Sequence, residues 1–222
     1  MKIARELLTV DEFRFFTKFD QTVLLGVKAR NIADLLAHIK TVPDGSIYYH
    51  THHYLEQHHY LSPEPPNDFA YWVTNVLNED VLAEKMTSID IIQFRTIGEL
   101  RNAFIGLLDD HLGSAERIAN APRGEEFYFM ASRIFVHPTS HVARTPKEFL
   151  DGLQRVSISS LYYHMFDAKL RLAKGENDFS SWFNDLGMKD LAGELRKLDP
   201  YTYTLEGLRK RLMVLVRKYD RH

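Results

Sequence analysis

A chain written twice has a restricted choice of folds, and this sequence repeats itself. Residues 29–50 align without a gap to residues 143–164, and eight of the 22 pairs are identical. Ala29-Arg30 matches Ala143-Arg144, Ser46 matches Ser160, and Tyr48-Tyr49-His50 matches Tyr162-Tyr163-His164. Asn67-Asp68-Phe69 and Trp72 match Asn177-Asp178-Phe179 and Trp182 at a slightly shorter offset. Leu82-Ala83, Thr96, Leu100 and Arg101 match Leu191-Ala192, Thr204, Leu208 and Arg209. The offset shrinks stepwise, so the second copy has shorter loops. The largest change falls at the Pro-rich turn Ser62-Pro63-Glu64-Pro65-Pro66. The copies span residues 13–111 and 127–219, joined by a polar, Gly- and Pro-punctuated linker over 112–126. Repeats of about 95 residues are too long for a solenoid unit. Two homologous lobes related by a pseudo-two-fold are therefore expected, burying matched faces as a symmetric dimer does.

Each copy opens with an aromatic, strand-like run, Phe13-Arg14-Phe15-Phe16-Thr17 and Phe127-Tyr128-Phe129-Met130. A β-branched run follows, Thr22-Val23-Leu24-Leu25 and Ile134-Phe135-Val136. Together these predict a short hairpin in each copy, although Asp20-Gln21 is a poor two-residue turn. Helices come next. Thr145-Pro146-Lys147-Glu148 carries a capping Thr, a Pro at the first helical position and a Glu at the third. The second helix is expected to begin near Ser46 and Ser160, with Leu161, Met165, Ala168 and Leu172 on one face. A third begins at Asn67 or Asp68 and at Asn177 or Asp178, and the last is capped by Thr96 and by Thr204. The fold class is mainly α (α+β): two mostly helical lobes, each with a small β element.

Composition narrows the function classes. The 222 residues are 45% apolar and 26% charged, an ordinary globular balance. Lys and Arg number 28 against 30 Asp and Glu, a net charge of −2, which offers no electrostatic argument for nucleic acid or an anionic membrane. Absence of Cys removes disulfides, thiolate metal sites and cysteine nucleophiles, and fits a reducing compartment. No run approaches the roughly 18–20 apolar residues of a membrane span. The first residues, with Glu6 early, do not read as a signal peptide, so a cytoplasmic protein is expected. Glycine-rich nucleotide loops, His-Glu-x-x-His and Gly-x-Ser-x-Gly are all missing.

The recurring polar and aromatic residues are the candidate binding positions. They are Tyr49, His50, Asn67, Asp68 and Trp72, with Tyr163, His164, Asn177, Asp178 and Trp182 in the second copy. A polar pair beside an aromatic face is what grips a small polar ligand such as a carbohydrate. The competing structural reading is that the histidines are hydrogen-bonded core residues and that Asn or Asp caps a helix whose Phe and Trp are core. A second candidate belongs to the first copy alone. His50, His52, His53, Glu56 and His59 lie within ten residues, and imidazole is the commonest ligand for transition metals. His52, His53 and His59 become Phe166, Asp167 and Ala173 in the second copy, so such a site would not be duplicated.

The strings Ser46-Ile47-Tyr48-Tyr49-His50-Thr51-His52, Leu61-Ser62-Pro63-Glu64-Pro65-Pro66-Asn67-Asp68-Phe69-Ala70-Tyr71-Trp72-Val73 and Asp199-Pro200-Tyr201-Thr202-Tyr203-Thr204-Leu205 resemble an uncharacterised prokaryotic family, a domain of unknown function. The resemblance covers almost the whole chain and implies no activity, cofactor or catalytic residue. The residues themselves favour a non-enzymatic binding or regulatory protein for a small polar ligand or a protein partner, free to form homo-oligomers, with no cofactor. A metal-dependent enzyme using the His-rich helix and its divalent transition metal is the first alternative. A structural adaptor is the second.

Overall fold

Both strand-like runs are longer than a hairpin requires. In the computed structural model, which describes residues 12–57, 67–115, 117–172, 176–198 and 203–220, β1 (Phe13–Ala29) and β2 (Phe127–Ala143) are single 17-residue strands. They pair with each other in one two-stranded antiparallel sheet. The hairpin expected within each copy is thus replaced by one strand from each. The chain passes through Asp20-Gln21 without turning because neither residue supplies the positive φ of a tight hairpin turn. The only non-glycine with positive φ among the described residues is Asn78.

The helices follow in the same order after each strand. After β1 come α1 (Ile32–Ile39), α2 (Asp44–Tyr48), a π-helical segment (Tyr49–His53), α3 (Tyr54–Gln57), α4 (Asp68–Asn75), α5 (Asp80–Thr87) and α6 (Ile97–Ser114). After β2 come α7 (Pro146–Arg155), α8 (Ile158–Tyr162), a second π-helical segment (Tyr163–Asp167), α9 (Ala168–Leu172), α10 (Asp178–Asp185), α11 (Lys189–Arg196) and α12 (Leu205–Tyr219). The caps explain most starts. Thr145, Thr96 and Thr204 each accept a backbone N–H three residues on, and Pro146 opens α7. Glu148 and Glu99 reach back to the N–H of Arg144 and Arg95, one residue upstream of the cap. The second helices begin earlier than expected, capped at Pro43 and Ser157, which puts Ser46 and Ser160 inside the first turn.

The chain divides into two compact units. One comprises Met1–Lys18, Val136–Ala168 and Glu176–His222, and the other Phe19–Phe135 with Lys169–Gly175. Both strands therefore contribute to both units. In the first unit the start of β1 lies deep in a core made by helices from the other half of the sequence. Phe13 and Phe15 share that core with Phe149, Tyr162, Phe179 and Trp182. The second unit has the mirror arrangement, with Phe127 and Phe129 of β2 against His50 and Phe69. Residues 117–126 run along the second unit rather than free of it. The Ala121 N–H donates to the Arg30 carbonyl at 2.7 Å, and the Trp72 indole N–H donates to the Glu125 carbonyl at 2.8 Å.

The strands approach the helices closely enough to demand glycine. A Cβ on Gly45 would lie 2.8 Å from the Ser132 carbonyl oxygen, and one on Gly152 would lie 2.5 Å from the Phe15 ring. Ala at Gly45 is expected to destabilise the protein by about 1–3 kcal/mol, because backbone must move, despite alanine's better helix propensity. A urea midpoint unchanged or raised in Gly45→Ala would contradict this packing.

Candidate functional site

The recurring Tyr-Tyr-His lies at the change from α to π geometry in both halves. A π turn widens a helix by one residue, and such segments are rare and concentrated at special positions. His50 and His164 are each the second residue of a π segment and are almost wholly buried. Each ring makes two hydrogen bonds of the same kind. His50 Nδ1 is 2.7 Å from Asp68 Oδ2, and its Nε2 accepts the Met130 N–H at 3.0 Å. His164 Nδ1 is 2.7 Å from Asp178 Oδ2, and its Nε2 accepts the Phe16 N–H at 2.8 Å.

Those partners determine the protonation state. A backbone N–H can only donate, so Nε2 must present its lone pair. The proton is then on Nδ1, where it donates to the carboxylate, and the imidazole is neutral. An Asp–His pair of this form resembles the orienting half of a catalytic triad. Here the nitrogen that would act as base is already engaged by a strand amide.

What the histidine does is complete a strand edge. A two-stranded sheet leaves the outer N–H and C=O groups of each strand without a strand neighbour. At Phe16, His164 takes the N–H and the Ser160 hydroxyl donates to the C=O at 2.6 Å. Ser160 and His164 are four residues apart on one helix, so the pair supplies both contacts that a neighbouring strand would have supplied. In the other half His50 serves Met130 in the same way. The buried Ser46 hydroxyl makes no hydrogen bond among the described residues.

The remaining recurrent residues are equally engaged. Asn67 caps α4, accepting the Ala70 N–H at 2.8 Å, and donates from Nδ2 to the Met86 carbonyl in α5 at 3.3 Å. Asn177 caps α10 through Ser180 and donates to the Leu195 carbonyl in α11 at 3.1 Å. Each thus ties the start of one helix to a carbonyl near the end of the next. Trp72 and Trp182 are buried core residues, and Tyr163 is buried beside the His164 ring. Tyr49 is half-buried, with its ring 5.0 Å from that of His53. The matched Arg101 and Arg209 close the ends of α1 and the α7 turn. Arg101 donates to the Ile39 carbonyl and lies 2.7 Å from Asp44, while Arg209 donates to the Val156 carbonyl at 2.8 Å. A cleft of about 200 Å³ lined by Ser140, His141, Glu148, Asp151 and Arg155 contains none of the recurring residues. It is also smaller than an ordinary ligand pocket.

Burial lowers the His50 imidazole below its usual value near 6.5, against the raising effect of Asp68. The folded state therefore takes up this proton at lower pH than the unfolded state. Its contribution to stability is complete above about pH 6.5 and is lost as pH falls from there through the lowered folded value. Urea midpoints between pH 8 and pH 5 should fall toward acid, and His50→Leu, less stable throughout, should show a shallower fall. Equal slopes would refute it.

The His-rich stretch is divided by the fold. His50 is engaged as above, the buried His52 ring stacks on Tyr48, and His59 lies outside the described residues. His53 and Glu56 do converge, and a residue not anticipated from the sequence joins them. Asp20 of β1 brings a carboxylate oxygen within 3.6 Å of His53 Nδ1, and one ligand-type atom from each of Asp20, His53 and Glu56 lies within 4.8 Å of the others. No signal local to the His run points to Asp20, which is separated from it by the whole of α1 and α2. The group has the donor types of a metal centre. In the second half Asp167 occupies the place of His53, and Lys18 meets it at 2.9 Å, with a side chain that is wholly buried.

No helix among the described residues is long and apolar enough to cross a membrane. The model for a family of unknown function, DUF5752, matches residues 10–217. Among solved structures, that of OrfY from Thermoproteus tenax is similar, with a TM-score of 0.81 and 28% identity over 96% of this chain and 97% of that one. Comparison with curated proteins finds no match.

Proposed function

The chain belongs to the DUF5752 family, whose function is unknown, and we propose that it is a non-enzymatic binding protein that works by contact with another protein. The observation carrying this reading is the distribution of exposed apolar side chains. Of the ten large apolar side chains exposed among the described residues, six, Phe19, Leu24, Tyr128, Ile134, Phe135 and Val136, lie on β1 or β2, and the other four are scattered singly elsewhere. Phe19 and Leu24 are 63% and 62% exposed. Exposed apolar residues on strands that have no third strand beside them, away from the positions that His164, Ser160 and His50 cover, suit a partner that adds an extended segment to the sheet. The polar atoms of the recurring histidines and asparagines, by contrast, are held in internal hydrogen bonds that a small ligand would have to break. The duplicated sequence, with the same His–Asp and Asn bonds in each half, supports reading the chain as two homologous lobes.

The test is photo-cross-linking in the native host, with the cross-linker at Leu24 and, as control, at the equally exposed Val81 on α5. A partner captured at Leu24 and not at Val81, then purified, should bind Leu24→Asp at least tenfold more weakly and Val81→Asp as it binds the wild type. Equal binding by both variants would end the reading. A cytoplasmic location belongs with this proposal. The Asp20–His53–Glu56 group favours a second, metal-centred reading.

A further inference from the structure

We propose that Asp20, His53 and Glu56 form a binding site for one first-row divalent transition ion, such as Zn²⁺ or Mn²⁺. His53 and Glu56 are three residues apart, so a helical turn places them on one face. His53 ends the π segment and Glu56 follows it, and the extra residue of that segment turns everything after it by about 100° relative to an uninterrupted α-helix. Asp20 comes from β1, so the site joins strand to helix. His53 Nδ1 and Asp20 Oδ2 are 3.6 Å apart, too far for a hydrogen bond. Two ligands at 2.0–2.1 Å from a tetrahedral ion stand about 3.3 Å apart, so the His53–Asp20 pair needs a shift of only a few tenths of an ångström, and Glu56, whose ligand atom lies within 4.8 Å of the others, closes by a side-chain movement of up to about 1.5 Å. The side chains of Asp20 and His53 are 8% and 10% exposed, and Glu56 is buried. The Tyr49 ring packs beside the imidazole, 5.0 Å between centroids.

The donor set selects the ion. One imidazole with two carboxylates suits Zn²⁺, Mn²⁺ or Fe²⁺ over the all-oxygen preference of Mg²⁺ and Ca²⁺. Three protein ligands leave at least one position for water or another molecule. The other half of the chain is informative by contrast. There the corresponding positions hold Asp167 and Leu170, and Lys18 supplies a positive charge to Asp167. A Lys–Asp pair cannot take up a cation, whereas an Asp–His–Glu group can, so the inference concerns one half only.

The experiment uses the full chain carrying no affinity tag, stripped with chelator and titrated calorimetrically with ZnCl₂, MnCl₂ and MgCl₂. One equivalent of Zn²⁺ or Mn²⁺ should bind, with Mg²⁺ at least tenfold weaker. Asp20→Asn is the decisive variant, because a chelate made by the His run alone would not sense a carboxylate on β1. It should weaken binding at least tenfold, and Glu56→Gln should do the same. His58→Ala/His59→Ala should bind as the wild type does. Proton spectra of the unmodified chain should show the His53 ring shifting on metal addition while the His50 ring does not, a readout independent of any variant's folding. Less than a tenth of an equivalent bound, wild-type affinity in Asp20→Asn, or loss of binding only in the His58/His59 variant would each overturn the site. None of these results bears on partner capture at Leu24.

Discussion

Replacing His164 by Ala is expected to lower stability by about 3–5 kcal/mol, the sum of an orphaned donor, a lost hydrogen bond to a carboxylate and a void. The Phe16 N–H loses its acceptor and Asp178 loses its Nδ1–H partner. A cavity opens among Phe13, Phe15 and Phe179, whose rings lie 5.0, 6.0 and 5.5 Å from the imidazole. For a chain of this size that corresponds to a fall of roughly 6–20 °C in Tm. Two milder variants separate the two bonds. Asn reaches only as far as Nδ1 and keeps a donor for Asp178, whereas Gln reaches Nε2 and keeps an acceptor for Phe16. Each should recover part of the loss. The pattern also distinguishes this role from catalysis, since removing a catalytic histidine commonly leaves stability unchanged or raised. A His164→Ala protein with wild-type Tm would show that the strand edge needs no such partner.

The local chemistry was legible and the long-range pairing was not. Thr145-Pro146 and Thr96 read as helix starts because capping is decided within four residues, and the structure caps those helices there. Leu161, Met165 and Ala168 read as one face, and all three are buried. The Phe and Trp after Asn67 and Asn177 read equally well as core or as a ligand-stacking face, and periodicity alone could not choose. The hairpins failed for a different reason. Phe13-Arg14-Phe15 and Thr22-Val23-Leu24 each look like a strand, and nothing within 25 residues shows that they are one strand whose partner begins at Phe127. Asp20 was invisible as a site residue because its neighbours in sequence carry no metal-ligand pattern. The π segments were hidden for the same kind of reason, since a single widened turn leaves a stripe of buried residues almost unchanged.

Strand pairing of this kind predicts that neither half of the chain folds alone. A fragment of residues 127–222 has a complete copy of the sequence pattern, yet it lacks Phe13 and Phe15, which are 7% and 0% exposed in its core. It also lacks Phe16, the partner of both His164 and Ser160. Losing one buried Phe side chain costs about 3–5 kcal/mol, against a total stability of about 5–15 kcal/mol for a typical domain. Two such losses, with the polar groups of His164 and Ser160 left facing an empty groove, exceed what a fragment of this size can tolerate. Residues 1–126 face the same difficulty through Phe127 and Phe129, 6% and 0% exposed. Each fragment is expected to show no cooperative thermal transition. The two co-expressed are expected to co-purify as a folded pair with helical content near that of the intact chain. A cooperative transition in either fragment alone would mean that its helices close over the vacated groove, and that the exchanged strand is dispensable. The Phe15→Ala chain is the graded version of the same test. It keeps every covalent connection and should lose about 3–5 kcal/mol, because the void it leaves is enclosed by Phe13, Phe149 and Phe179 and cannot fill with water.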